Sequence, residues 1–192
     1  RSLMPNAGLL TLVALTPDDL DIEYIFRDEN IGNINWNESC DLVAVTGYTL
    51  HAERITEICN KFRSRGVPVA LGGAFATLNY ERVKGLADYL FIGEAELTWP
   101  AFLNEWIEGK AAPVYKQDSY IDIKISPPPD LSLIQAKNYV YFPVQTSRGC
   151  PNNCDFCDVI RLVGRKYRIK PVENVMEEVK NAHACGAETV FF

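Results

Sequence analysis

Four short apolar runs, DIEYIFRD (21–28), LVAVTGYT (42–49), VPVALGG (67–73) and DYLFIGEAE (88–96), each end in small or polar residues and predict strands. In the first of them Ile22, Tyr24 and Phe26 alternate onto one face. Between the second and third, Ala52, Ile55, Ile58, Cys59 and Phe62 recur at helical spacing and Gly66 stands where a C-terminal cap belongs, so residues 51–66 predict an amphipathic helix. Trp99, Phe102, Leu103, Trp106 and Ile107 form a further apolar stripe ahead of Gly109, and a weaker helix fits around Leu78 to Leu86. The run LLTLVAL (9–15) stops at Pro17 and leans to helix. Strand and helix alternate with short loops, which predicts parallel α/β layering with right-handed crossovers.

Ligands of such a sheet bind beyond the carboxyl ends of its strands. Three loops there carry glycine: Thr46-Gly47-Tyr48-Thr49, Gly72-Gly73-Ala74 and Gly93-Glu94-Ala95-Glu96. Each lets a backbone approach a flat or phosphate-bearing ligand, and each also suits a plain tight turn, so the pattern leaves both readings open.

The alternation breaks between Lys116 and Tyr141, where SYIDIKIS alternates briefly and Pro127-Pro128-Pro129 forbids regular helix; this stretch predicts a linker. A new unit opens with YFPVQTSRG (141–149), a predicted strand, followed by a cysteine loop and the basic segment RLVGRKYRIK. From Pro171 a helix is predicted with Val172, Val175, Met176, Val179 and His183 on one face, closed by Gly186 before the strand-like ETVFF (188–192).

The chain has 192 residues, 47% apolar and 23% charged, the balance of a folded protein of one domain or two small ones. Its net charge of −6 argues against nucleic acid as a partner. The longest apolar stretch falls far short of the roughly 20 residues that cross a bilayer, and the first residues lack a signal-peptide core, so a cytoplasmic protein is expected.

Six cysteines are present, at positions 40, 59, 150, 154, 157 and 185. A chain this long needs no disulfide staples, and Cys150, Cys154 and Cys157 crowd into one C-x3-C-x2-C segment. Three thiolates on one loop can hold three corners of a metal cluster and leave a fourth position for another ligand. Zinc usually takes four protein ligands, and no fourth Cys or His follows nearby. The spacing therefore favours an iron–sulfur cluster and leaves zinc open. Cys40, Cys59, Cys185 and His183 read as packing residues.

The segment Ser147-Arg148-Gly149-Cys150-Pro151-Asn152-Asn153-Cys154-Asp155-Phe156-Cys157 resembles the cluster loop of the radical S-adenosylmethionine enzymes, including the aromatic residue before the third cysteine. The three glycine loops resemble those of the cobalamin-binding domain that precedes many such barrels. The resemblance implies a doubly wound, Rossmann-like cobalamin-binding domain over residues 1–115, a linker over 116–140, and the start of a radical S-adenosylmethionine (β/α) barrel over 141–192. It implies that Cys150, Cys154 and Cys157 ligate a 4Fe-4S cluster that reductively cleaves S-adenosylmethionine to a 5′-deoxyadenosyl radical, with Phe156 near the adenine. It further implies cobalamin against Thr46, Gly47, Tyr48, Gly72, Gly73, Ala74, Gly93, Glu94, Ala95 and Glu96. The Asp-x-His-x-x-Gly motif is absent and His51 has neither Asp nor Gly at the matching offsets, so cobalamin is expected without a histidine axial ligand.

The implied activity is methyl transfer or related carbon-radical chemistry on a small-molecule or lipid-like substrate, with flavodoxin or ferredoxin as electron donor. A barrel of this kind needs about six strand–helix units. The chain reads as a fragment, incomplete as a catalyst on its own. Two other readings stand beside it: a corrinoid- or nucleotide-binding module with a structural zinc on the cysteine loop, and a tRNA methylthiotransferase. The latter carries three further cluster cysteines upstream, where this chain has only Cys40 and Cys59.

Overall fold

Val43–Thr46 (β1), Val69–Gly72 (β2), Tyr89–Ile92 (β3) and Val114–Lys116 (β4) form one four-stranded sheet in the order β1-β2-β3-β4, with every pairing parallel. The computed structural model describes all of residues 1–192. The chain divides into two compact units: one comprises Arg1–Ile34, Asp122–Arg148 and Tyr167–Phe192, and the other Asn35–Ile121 and Gly149–Lys166.

The sheet belongs to the second unit. Its inner strand β2 is buried on both faces, with Val69, Ala70 and Leu71 all in the core, as helices covering a parallel sheet require, whereas the edge strand β4 exposes Val114 and Lys116. Ala52–Ser64 (α2) buries Ala52, Ile55, Ile58, Cys59 and Phe62, the stripe its periodicity predicts. Thr98–Ile107 (α5) buries Trp99, Phe102 and Leu103. Phe91 of β3 stacks on Tyr115 of β4 with ring centroids 5.2 Å apart and meets Trp99 and Phe102 at 5.4 and 5.1 Å, an aromatic core beneath α5.

Two expectations are corrected here. The helix around Leu78 to Leu86 is two short helices, Gly73–Leu78 (α3) and Tyr80–Val83 (α4), separated at Asn79. The Asn79 amide donates to Phe75 O at 3.0 Å and to Thr49 Oγ1 at 3.2 Å, competing with the backbone for helical hydrogen bonds. The fourth strand is Val114–Lys116, not residues 21–28. Segment 21–28 alternates between half-buried and exposed positions as a strand would, but it pairs with no other strand and remains irregular.

In the first unit, Ala7–Ala14 (α1) is capped by Asn6, whose side chain accepts from Leu9 N at 3.1 Å. The expected strand over 141–149 resolves into Phe142–Pro143 (β5) and Ser147–Arg148 (β6). In the second unit, Val159–Val163 (α6) follows the cysteines; the first unit resumes with Arg168–Ile169 (β7), Val172–Ala184 (α7) and Val190–Phe191 (β8). Strand β5 pairs with β8 in parallel across α7, one strand–helix–strand unit, while β6 and β7 form an antiparallel pair. Buried Tyr139, Phe142 and Ala182 form the core under α7. Lys170 and Glu178, both almost fully buried, form an ion pair there, and Glu178 Oε2 also accepts from Gln145 N at 2.9 Å. No helix is long and apolar enough to cross a membrane.

Candidate functional site

The three glycine loops meet at the carboxyl ends of β1, β2 and β3. Thr46 ends β1, and Gly73 packs on it so closely that a Cβ at Gly73 would fall inside contact distance of Thr46 Oγ1; Gly73 also has φ +80°, where glycine is favoured. The carbonyl of Gly47 accepts from Phe75 N at 3.0 Å, which joins the first loop to α3. Gly72 lies against Phe91, where a Cβ would approach that side chain to 3.2 Å. Gly93, at φ +96°, donates its N–H to Thr77 Oγ1 at 3.0 Å, which ties the third loop to α3 as well.

Tyr48 and Leu50 project from the first loop, 62% and 81% exposed, and Leu97 from the third, 63% exposed. Tyr48 N donates to His51 Nδ1 at 3.2 Å. That bond gives His51 a local role in shaping the loop.

Glu94 and Glu96 are buried, each 7% exposed. Glu94 Oε2 accepts from Gln117 Nε2 at 2.9 Å and from Ile121 N at 3.1 Å. In return Gln117 Oε1 accepts from Glu94 N, and Gln117 N donates to Ile92 O at 3.0 Å. The carboxylate thus fastens the chain beyond β4 to the end of β3. Helix α5 begins after Leu97 with no side-chain cap, so Glu94 is not its N-cap. Nothing in the residue pattern singles out Gln117 or Thr77, because their partners lie 23 and 16 positions away in the chain.

The cysteine loop packs in the same unit as these glycine loops, with α6 resting on α3. Gly149 opens it at φ +96°, where a Cβ would collide with Lys166 O. Cys150 N donates to Gly164 O at 3.1 Å, Cys157 N to Cys154 O at 3.2 Å, and Arg165 to Asn153 Oδ1 at 2.6 Å. All six cysteines are free thiols; Cys150 and Cys157 are half-buried and Cys154 is exposed. The donor set suits a thiolate-bound cluster in kind: three unpaired thiols within eight residues on a loop held at its base. Their side chains are not gathered around one point, since no three His, Cys, Asp or Glu groups lie close enough together to hold a metal ion. Phe156 stands 91% exposed, in contact with no core.

Outside the loop, buried Cys59 and half-buried Cys185 are both held toward the protonated thiol. Burial pushes the Cys59 thiol up to about 11, and burial likewise raises Cys185.

No protein-family model matches the chain. It is 30% identical over 188 residues to an uncharacterized methyltransferase of Synechocystis, covering 97% of this chain and 35% of that protein. It is also 30% identical to the bacteriochlorophyllide d C-8(2)-methyltransferase of Chlorobaculum tepidum, covering 92% of this chain and 41% of that one. Among solved structures, the radical S-adenosylmethionine methyltransferase TsrM of Kitasatospora setae superposes with a TM-score of 0.61 at 17% identity, over 80% of this chain and 36% of that one. The cobalamin-dependent S-adenosylmethionine radical enzyme OxsB superposes with a TM-score of 0.58 at 17% identity, over 76% of this chain and 24% of that one. Over nearly its whole length the chain is thus similar in sequence to curated methyltransferases, and it shares its fold with these two radical S-adenosylmethionine enzymes. It spans about a third to two fifths of the length of the curated relatives it matches. The likeness to the two solved structures is one of fold, in a chain whose four-stranded sheet β1 to β4 is parallel throughout.

Proposed function

We propose that this chain is the cofactor-binding part of a cobalamin-dependent radical S-adenosylmethionine methyltransferase. The observation that carries the reading is the packing of one anchored loop with three free thiols in the same unit as the three glycine loops. In this reading residues 1–115 carry the cobalamin-binding part, 116–140 link, and 141–192 begin the barrel. Cys150, Cys154 and Cys157 would hold a 4Fe-4S cluster, and the 46–48, 72–74 and 93–96 loops would bear cobalamin without a histidine axial ligand.

When bound, the cluster supplies the electron that cleaves S-adenosylmethionine and cobalamin carries the methyl group. The chain's own residues prepare the ground for this. Gly47, Gly72 and Gly73 let the loops pack directly on Ile55, Phe91 and Thr46, which fixes the backbone surface that a large flat ligand would meet at the sheet's carboxyl end. Exposed Tyr48, Leu50 and Leu97 offer it apolar contact. Gly149 and the Cys150–Gly164 hydrogen bond fix the base of the cysteine loop while Cys154 and Phe156 stay accessible for the cluster and the adenine. The substrate is a small molecule or lipid-like compound, and the electron comes from a flavodoxin or ferredoxin.

The test is anaerobic purification with hydroxocobalamin supplied, followed by iron, sulfide, zinc and cobalt analysis and a visible spectrum. Iron with sulfide and retained cobalt is the expected result. Zinc near one equivalent without iron overturns the reading in favour of a binding module.

A further inference from the structure

The cysteine loop is not anchored by its own residues alone. Segment 164–166 holds it at three points: Gly164 O accepts from Cys150 N at 3.1 Å, Lys166 O lies against Gly149, and Arg165 donates to Asn153 at 2.6 Å. Gly164 is buried and adopts φ 80° and ψ 174°, a conformation open only to glycine. On one side α6, which it terminates, rests on α3. On the other lies the ring of Tyr120: a Cβ built at Gly164 would meet Tyr120 Cε2 at 2.5 Å and Cζ at 2.7 Å.

Tyr120 in turn is fixed from both flanks. Ahead of it, Gln117 is bonded to Ile92 O and to Glu94 Oε2; after it, Ile121 N donates to the same Glu94 oxygen at 3.1 Å. A continuous line of contacts therefore runs from Gly93-Glu94, the loop at the end of β3, through Tyr120 and Gly164 to the amide of Cys150.

We propose that Tyr120 is a positioning residue for the cysteine loop: its ring, set in place by the Glu94 carboxylate, backs Gly164 so that the Gly164 carbonyl holds Cys150 in the attitude in which its thiol is presented. The inference rests on the proposed cluster only for the identity of what the thiol holds. The anchoring itself is a property of the unliganded chain. The ring atoms Cε2, Cζ and Cδ2 are the ones that meet Gly164, and phenylalanine keeps them.

The experiment is amide hydrogen exchange of the unliganded chain as wild type, Tyr120→Ala and Tyr120→Phe, read at Cys150 and at Val69 to Gly72 of β2. Tyr120 is 49% exposed, so its truncation leaves the sheet core intact. In Tyr120→Ala the Cys150 amide is expected to exchange about fivefold faster or more, the loss of one hydrogen bond's worth of local protection, with the β2 amides unchanged. In Tyr120→Phe both should match wild type. An unchanged Cys150 rate in Tyr120→Ala overturns the proposal. So does acceleration at Cys150 and β2 together, which would mark general loosening, or a Tyr120→Phe variant that behaves like the alanine one.

A second measurement, iron loss to a chelator after anaerobic reconstitution, should be faster in Tyr120→Ala than in Tyr120→Phe or wild type. Equal rates would overturn the role in presenting the thiol. Failure of the wild type to take up iron and sulfide would instead sink the proposed function, while the exchange rates would still decide whether Tyr120 anchors the loop.

Discussion

Gly73 lies against the hydroxyl of Thr46, with no room between them for a methyl group. This close approach brings the start of α3 onto the end of β1 and sets the spacing of two of the three glycine loops. Gly73 and Gly66 share nearly the same backbone angle, φ +80° and +79°, but nothing lies within 4 Å of a Cβ at Gly66. Gly66→Ala should therefore cost only the left-handed backbone strain, about 1 kcal/mol, and Gly73→Ala about 2 kcal/mol or more. Urea midpoints of the two variants, measured side by side, check this. Equal shifts would show that the Thr46 contact yields freely.

The Lys170–Glu178 pair gives a larger prediction. Both side chains are almost completely out of water, 2% and 3% exposed. Removing one partner strands the other charge, so Lys170→Met should destabilise the first unit by about 3–5 kcal/mol. Adding Glu178→Leu should recover much of that loss but not all, because Gln145 N then loses its acceptor. Denaturant titration of the single and double variants reads the difference.

Cys59 predicts a pH dependence with a definite sign. Its thiol, ordinarily titrating near 9.0, is held up to about 11 by burial among the apolar residues of α2. Below pH 9 it is protonated in both folded and unfolded chains and contributes no slope. As the pH rises from 9 to 11 the unfolded chain gives up the proton while the folded one keeps it, so stability falls by up to about 1.4 kcal/mol per pH unit. Cys59→Ala should flatten that part of the stability curve relative to wild type.

Among the free thiols, Cys154 is exposed and Cys59 fully buried. Alkylation under native conditions should label Cys154 rapidly and leave Cys59 unmodified until the chain unfolds. After anaerobic reconstitution, Cys154→Ala should lose most of the bound iron and sulfide, whereas Cys185→Ala should keep them. Peptide mapping and metal analysis check the two halves separately. Iron retained in Cys154→Ala would remove that residue from the ligand set.

Local signals along the chain specify β1, β2, β3, α2 and α5 and the span of α7, but not the face of α7, where Glu178 and Ala182 are buried while Val172, Met176 and His183 of the predicted stripe are exposed. In α2, for example, Ile55, Ile58, Cys59 and Phe62 mark one face at helical spacing, and that same face is the buried one. The candidate site is half legible in the same way. Each glycine marks its own strand end, and three cysteines within eight residues share one loop by spacing alone. The anchors are not legible in this way. Gln117, Tyr120 and Gly164 look ordinary in their neighbourhoods, and each matters through a partner more than 20 positions away.

The misread strand shows the same limit from the other side. Residues 21–28 alternate correctly, and Val114–Lys116 offers only three residues, yet it is the latter that pairs with β3. Strand pairing is a contest for an edge, and alternation within one segment says nothing about which competitor reaches it. By itself, then, the sequence determined periodic faces, capping and turn positions, and the covalent grouping of Cys150, Cys154 and Cys157, because each depends on neighbours a few residues apart. Only the tertiary structure decided that β4 completes the sheet, that residues 149–166 pack in the unit of the glycine loops, and that Glu94 turns inward to hold Gln117 and Ile121. Those outcomes depend on contacts between distant segments, whose strength is set by burial and complementary hydrogen bonding that exist only once the chain has folded.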